Sequence, residues 1–242
     1  MSEQAKNVEN KPKKTKKQKD ITVKTNRKGK HIMPLLNFLR CLVIPIYFLF
    51  KPFRYYGNRK VKDGACVYIC NHYGLLDPVF TAATTWEGIH YVCKRSLLDV
   101  PVLRGILRAV KVIPVNRDGK DVRGLLDCFK CLKNGEKIAV FPEGTRNKYG
   151  VDMLPFKHGA AVMAIKTKTP IVPVVMYKKP RLFRCTHVLI GDPIELTDYY
   201  DRKLSEEELA EVDNKLRDFM LNMRANHTEF LQNKKNKQGK KA

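Results

Sequence analysis

From residue 65 onward, short apolar runs alternate with longer segments whose apolar positions recur every three and four residues. The short runs predict strands over residues 65–70, 89–93, 111–115, 137–141, 171–176 and 186–190. The segments between them predict helices near residues 78–85, 100–110, 122–133 and 157–166. Alternation of this kind points to an α/β fold, a mostly parallel sheet flanked by helices. Ligand sites in such sheets collect in loops at strand C-terminal ends, and residues 71–77 and 141–147 each occupy one. Farther on, Ser205 and the acidic trio Glu206, Glu207 and Glu208 open another helix. Its apolar stripe runs through Leu209, Val212, Leu216, Phe219, Met220 and Met223 and is expected to pack on the sheet. The basic residues 234–241 are expected to fray.

Two N-terminal segments fall outside this rhythm. Residues 1–30 are low in apolar content and crowded with lysine; they cannot bury enough surface to offset chain entropy and are expected to be disordered. Three roles stay open for them: a nucleic-acid-seeking arm, a polybasic tether to anionic lipid, and a merely solvated tail. Residues 32–53 are strongly apolar, but Arg40 interrupts the run and Pro45 is expected to kink it. A straightforward spanning helix needs about 20 mainly apolar residues. Lys51, Arg54, Tyr55 and Tyr56 then supply groups suited to a headgroup region. The reading is a pair of short N-terminal membrane-associated helices that dip into one leaflet. A spanning helix and ordinary core packing are the alternatives. A secretory signal fits poorly, because the basic region is too long and no small-residue cleavage site follows.

Composition narrows the partners. A chain of 242 residues accommodates one α/β domain with appendages, or two small domains. A formal net charge of +23 calls for an anionic partner: nucleic acid, anionic lipid or a phosphorylated substrate. The apolar segment directly after the lysine-rich tail favours an anionic membrane surface, and nucleic acid is not expected. Seven scattered cysteines, several of them within apolar runs, argue for reduced thiols rather than a disulfide framework. Cys128 and Cys131 form a C-x-x-C on a predicted helix with no second pair at zinc spacing, so core thiols are expected there.

The two loops carry the candidate chemistry. In Asn71-His72-Tyr73-Gly74-Leu75-Leu76-Asp77-Pro78, a histidine and an aspartate five residues apart follow a predicted strand. An imidazole held by a carboxylate acts as a general base on a hydroxyl or thiol. Alone, the pair leaves open whether it is catalytic. The second loop offers Glu143, Gly144, Thr145 and Arg146: a carboxylate, a close-approaching backbone, a hydroxyl and a guanidinium. Arginine's planar fork suits a phosphate monoester. Equally, Glu143 and Arg146 can pair with each other on a surface loop.

Together the loops resemble the glycerophospholipid acyltransferase family, whose members include the lysophosphatidic acid acyltransferases. The resemblance rests on Asn71-His72 with Asp77, followed by Phe141-Pro142-Glu143-Gly144-Thr145-Arg146. Val112-Ile113-Pro114-Val115-Asn116-Arg117 looks like the family's arginine-bearing strand, and Ile171-Val172-Pro173-Val174-Val175 like its Val-Pro block. Phe156-Lys157-His158-Gly159-Ala160 matches the segment after the Glu-Gly-Thr-Arg loop, so the likeness covers roughly residues 64–194. Five such blocks in family order make a specific signal. Two positions depart from the pattern: Lys111 stands where a glycine is common, and Asn116 where an aspartate is frequent.

The resemblance implies acyl transfer from acyl-CoA or acyl-carrier protein, as co-substrate, to the sn-2 hydroxyl of lysophosphatidic acid, giving phosphatidic acid. Glycerol 3-phosphate or another lysophospholipid is the alternative acceptor, and a non-catalytic anionic-membrane-binding protein the alternative outside enzymes. His72 would be the general base and Asp77 its orienter. Arg146 and Arg117 would hold the phosphate, with Glu143, Gly144, Thr145 and Asn71 completing the acceptor site. No cofactor or metal is expected. The implied organisation is a disordered tail (residues 1–30), a membrane-associated helical segment (31–60), an acyltransferase domain (61–232) and a basic tail (233–242). The expected location is peripheral or monotopic, on the cytoplasmic face of the cell membrane.

Overall fold

The computed structural model describes residues 34–58, 64–85, 87–116 and 122–239. The lysine-rich residues 1–30 and Arg117 lie outside the described residues. Seven strands, β1 (Phe53–Gly57), β2 (Cys66–Cys70), β3 (Ile89–Lys94), β4 (Ile113–Val115), β5 (Lys137–Val140), β6 (Ile171–Met176) and β7 (Thr186–Ile190), form one sheet in the order β1-β7-β6-β2-β5-β3-β4. From β6 to β4 every neighbouring pair is parallel. Strand β7 runs antiparallel to β6, and β1 lies parallel to β7 at the sheet's edge. The sheet is thus mixed and mostly parallel.

The central strands are apolar throughout because both faces are covered. Every residue of β2 and of β6 is buried. Alternate residues of β2 divide between two cores. Val67 and Ile69 face α4 (Val122–Lys133), α5 (Gly159–Thr167) and α6 (Glu206–Gly239), meeting Cys128, Ala164 and Met220. Cys66, Tyr68 and Cys70 face the opposite layer, built from α1 (Pro34–Phe50) and α2 (Pro78–Ala82), with Tyr47 and Phe80. Pro173 sits inside β6 although proline weakens a central strand. Its neighbour across the sheet is Gly191, just past the end of β7, where an added Cβ would lie 2.7 Å from Pro173 Cγ. The proline is therefore placed where β7 no longer needs a donor and where glycine leaves room.

Three expectations are corrected. The apolar N-terminal segment is one helix, α1, that runs through Pro45. The bond forfeited by the proline nitrogen would have reached the carbonyl of Cys41, an exposed position where water can serve. Arg40, which reads as an interruption, is 4% exposed and docks the helix: it donates to Glu87 O (2.9 Å) and Asn37 Oδ1 (2.7 Å). Among the described residues, no helix is long and apolar enough to cross a membrane. Arg54, Tyr55 and Tyr56, read as a flank to that segment, lie in strand β1. Phe53 and Tyr55 turn into the core beside Phe80, while Arg54 between them is exposed. Finally, residues 234–239 continue α6 instead of fraying. His227 extends the stripe one turn beyond Met223 and is 7% exposed.

Two boundaries shift for local reasons. Strand β4 starts at Ile113 because Lys111 adopts φ 53°, a left-handed turn after the helix α3 (Pro101–Ala109). A 3-10 turn over Arg95–Asp99 precedes α3 and has no periodicity to announce it.

Candidate active site

Register brings the two candidate loops together. Strands β2 and β5 are adjacent and parallel, with Ile69 opposite Val140, so residues 71–77 and 141–147 leave the same edge side by side. Pro78 at the first position of α2 turns the chain after Asp77. Asp77 occupies the cap position but makes no forward capping bond. Its carboxylate points back: Oδ2 accepts from Tyr73 N–H (2.6 Å), Gly74 N–H (2.7 Å) and His72 Nδ1 (2.8 Å). Buried at 2% exposure, that oxygen already serves as acceptor to two amide donors. Nδ1 of His72 therefore carries the proton, and Nε2 keeps its lone pair. Among the described residues Nε2 has no hydrogen-bond partner. The imidazole stacks on Phe141, with ring centroids 4.2 Å apart.

The His72 backbone is clamped by the second loop. Its N–H donates to Glu143 Oε1 (2.7 Å), and its carbonyl accepts from Asn147 N–H (2.6 Å). Glu143 Oε2 accepts from Leu154 N–H (2.9 Å), so both carboxylate oxygens are engaged inside the protein. Burial pushes the Glu143 carboxyl above its usual range, opposed by these two amide donors. Asn147 is itself pinned, donating through Nδ2 to Val151 O at 2.7 Å. Asn71 likewise turns inward: its amide exchanges two bonds with Met176 (2.8 and 3.0 Å), extending the β2–β6 ladder by a side chain.

Glu143 and Asn71 thus act as braces for the loop bearing His72. The outward groups of the second loop are Thr145 and Arg146, both exposed. Arg146 forms no side-chain hydrogen bond or ion pair with the described residues, so it does not pair with Glu143. Gly144 has φ +66°, and an added Cβ would lie 3.0 Å from Lys157 Cδ and Cε, so the lysine stem lies across this turn. The Gly144 N–H closes the turn onto Phe141 O (3.0 Å) and is not available to a ligand. Lys157, Asn147 and the stacking ring of Phe141 are neighbours of the pair that carried no individual role in the sequence reading. Arg117 lies outside the described residues.

One group among the described residues could hold a metal ion. His90, Cys131 and Glu136 bring donor atoms within 4.8 Å of one another. They lie at the start of β3, in the last turn of α4 and just before β5, at the sheet edge opposite His72. Cys128 is buried in the core, and its C-x-x-C partner Cys131 is partly buried against the same core.

A family model described as Acyltransferase matches residues 52–177. The chain is 35% identical over 123 residues to the chloroplastic 1-acyl-sn-glycerol-3-phosphate acyltransferase BAT2 of Brassica napus, an alignment covering 49% of this chain and 35% of that protein. It is 34% identical over 122 residues to a 1-acyl-sn-glycerol-3-phosphate acyltransferase of Helicobacter pylori, covering 50% of this chain and 52% of the relative. The chain thus spans about a third of the first relative and about half of the second. The crystal structure of the 1-acyl-sn-glycerophosphate (LPA) acyltransferase PlsC from Thermotoga maritima shares the fold, with a TM-score of 0.59 over 77% of each chain and 24% identity.

Proposed function

Since this chain belongs to the acyltransferase family, we propose that it transfers a fatty acyl group from a thioester donor to the sn-2 hydroxyl of lysophosphatidic acid, giving phosphatidic acid. The observation that carries this reading is the bond between His72 Nδ1 and an Asp77 oxygen already fixed by two amides. An alcohol is a weak nucleophile at neutral pH. His72 Nε2 takes its proton as the oxygen attacks the thioester carbonyl; the tetrahedral intermediate then collapses, the C–S bond breaks and the thiolate departs. General-base assistance of this kind contributes about 100- to 10,000-fold. Asp77 holds the tautomer and stabilises the imidazolium that forms. The amides of Thr145 and Arg146, beside the closed Gly144 turn, are the candidate oxyanion donors.

Names of the relatives support lysophosphatidic acid as acceptor. Arg146 is an exposed cation in the loop beside His72, and with Lys157 across Gly144 it would hold the acceptor phosphate; Arg117, expected to share that role, lies outside the described residues. The acceptor lies in a leaflet, and α1 offers a way to reach it. Opposite its docked residues Arg40 and Tyr47, Phe38, Leu42, Ile46 and Leu49 are 63%, 51%, 54% and 70% exposed. Phe50 meets Phe183, exposed in turn, and the His72 loop adds exposed Leu75 and Leu76. This apolar surface fits monotopic attachment at the cytoplasmic face, where thioester donors are met.

The test is an acceptor panel. With acyl-CoA and vesicles carrying lysophosphatidic acid, phosphatidic acid should be the product by mass, and glycerol 3-phosphate should give little. Arg146→Ala should raise KM for lysophosphatidic acid by about 10- to 100-fold and leave KM for the donor unchanged. Product from glycerol 3-phosphate alone would replace the acceptor, and no product from any acceptor would end the reading.

A further inference from the structure

A cavity of about 590 Å³ opens beside the His72 loop, lined in part by Tyr73 and Asn147. Both belong to the catalytic frame, since Tyr73 follows His72 and donates to Asp77 (2.6 Å), and Asn147 donates to the His72 carbonyl (2.6 Å). The far wall comes from the segment joining β6 to β7 and from Arg224 of α6. Because β6 ends and β7 begins at the edge where β2 ends, the cavity shares the catalytic edge of the sheet.

Its lining is strongly one-signed. Lys148, Lys178, Lys179, Arg181, Arg184 and Arg224 contribute to it, and none of the described lining residues is acidic. Two of these cations are engaged: Arg224 pairs with Asp152 (3.1 Å), and Lys178 lies over the Tyr177 ring (5.3 Å). Lys148, Lys179, Arg181 and Arg184 form no side-chain hydrogen bond or ion pair with the described residues. Some surface cations elsewhere are paired, Lys168 with Asp201 and Arg202 with Glu208 (2.7 Å each), whereas four unpaired ones are gathered around this single concavity. Four cations gathered around a concavity repel one another unless an anion fills it. The acceptor's phosphate is already accounted for by Arg146 on the other loop, which does not line this cavity.

We propose that this cavity receives the phosphorylated nucleotide end of an acyl-CoA donor. The inference rests on the acyl-transfer reading above. A CoA thioester carries a diphosphate and a 3′-phosphate at one end and its reactive carbonyl at the other, joined by an extended pantetheine arm. The cations would hold the phosphates while the arm passes Tyr73 and Asn147 toward His72. A volume of this size matches the range of about 300–1,000 Å³ for small-molecule sites. An acidic carrier protein, the other thioester donor, would instead meet an open convex surface.

The experiment uses two probes on the full chain and on the exposed-residue variant Arg181→Glu/Arg184→Glu. Adenosine 3′,5′-bisphosphate, titrated by calorimetry, should bind the wild type and bind the variant at least about 10-fold more weakly. In kinetics with lysophosphatidic acid, the variant should raise KM for acyl-CoA about 10- to 100-fold more than KM for the matching acyl-pantetheine, which lacks the nucleotide. Equal changes for the two donors, equal binding of the bisphosphate, or transfer from acyl-carrier protein but not acyl-CoA would each overturn the assignment. The calorimetric arm needs no turnover. Bisphosphate binding that the variant loses, with no acyl transfer from any donor, would support the cavity's role and overturn only the reaction.

Discussion

Glu143 illustrates how a residue in a functional loop can act through another. Its two oxygens take the amides of His72 and Leu154, so it sets the position of the His72 backbone from below while Asn147 sets it from the other side. Glu143→Gln keeps the shape but replaces one acceptor with a donor that faces an amide N–H. Loss of one buried bond with an unsatisfied donor costs about 1–3 kcal/mol. Thermal unfolding should register that loss, and kcat should fall because His72 is displaced, while KM for the acceptor stays near the wild-type value. A change confined to KM would instead make Glu143 an acceptor contact.

At the scale of elements, α1 and α6 do different work. One face of α1 is held, through Arg40, through Leu39 against Val110, and through Tyr47, whose ring meets Phe80 edge-on at 5.6 Å; Phe38, Leu42, Ile46 and Leu49 face outward. Ile46→Glu and Leu49→Glu alter exposed positions and should change stability by no more than about 0.5 kcal/mol. Flotation with phosphatidic-acid vesicles should show reduced binding for both; unaltered binding would remove α1 from the membrane contact. Helix α6 docks on β7 through His227 Nε2 and His187 Nδ1, 2.8 Å apart. Burial holds the pKa of both imidazoles below the ordinary value of 6.5, helped by Arg54 and Lys234 at His187 and by His187 at His227. As pH falls below that ordinary value the unfolded chain binds more protons than the folded one, so stability is lost; above it the effect vanishes. The urea midpoint should therefore drop between about pH 7.5 and pH 5, and His227→Phe should flatten that dependence.

For the whole molecule, the pattern was legible where burial imposes a clear sequence signal: β6 and β7 begin and end where their apolar runs do, and α4 where its helical period does. It misled where composition imitates another environment. Arg54, Tyr55 and Tyr56 have the make-up of a headgroup flank, but they lie in an edge strand in which Phe53, Tyr55 and Tyr56 are half-buried and Arg54 is exposed. The His72–Asp77 pair was readable because both partners sit in one short loop. The inward direction of Glu143 and Asn71 was not, because it depends on the pairing of β2 with β5 and β6, which no local spacing encodes. Lys157 was missed for the same reason, lying across Gly144 from a later segment. The cationic cavity likewise assembles lysines and arginines from three distant stretches of chain.

The proposed reaction makes His72 the base, its Nε2 without a hydrogen-bond partner among the described residues. The direct measurement is thiol release from acyl-CoA in the presence of lysophosphatidic acid, comparing the wild type with His72→Ala at matched unfolding midpoints. A rate lowered by about 100- to 10,000-fold, with KM for both substrates little changed, is the predicted result. Retention of most of the wild-type rate by a folded His72→Ala protein would contradict it.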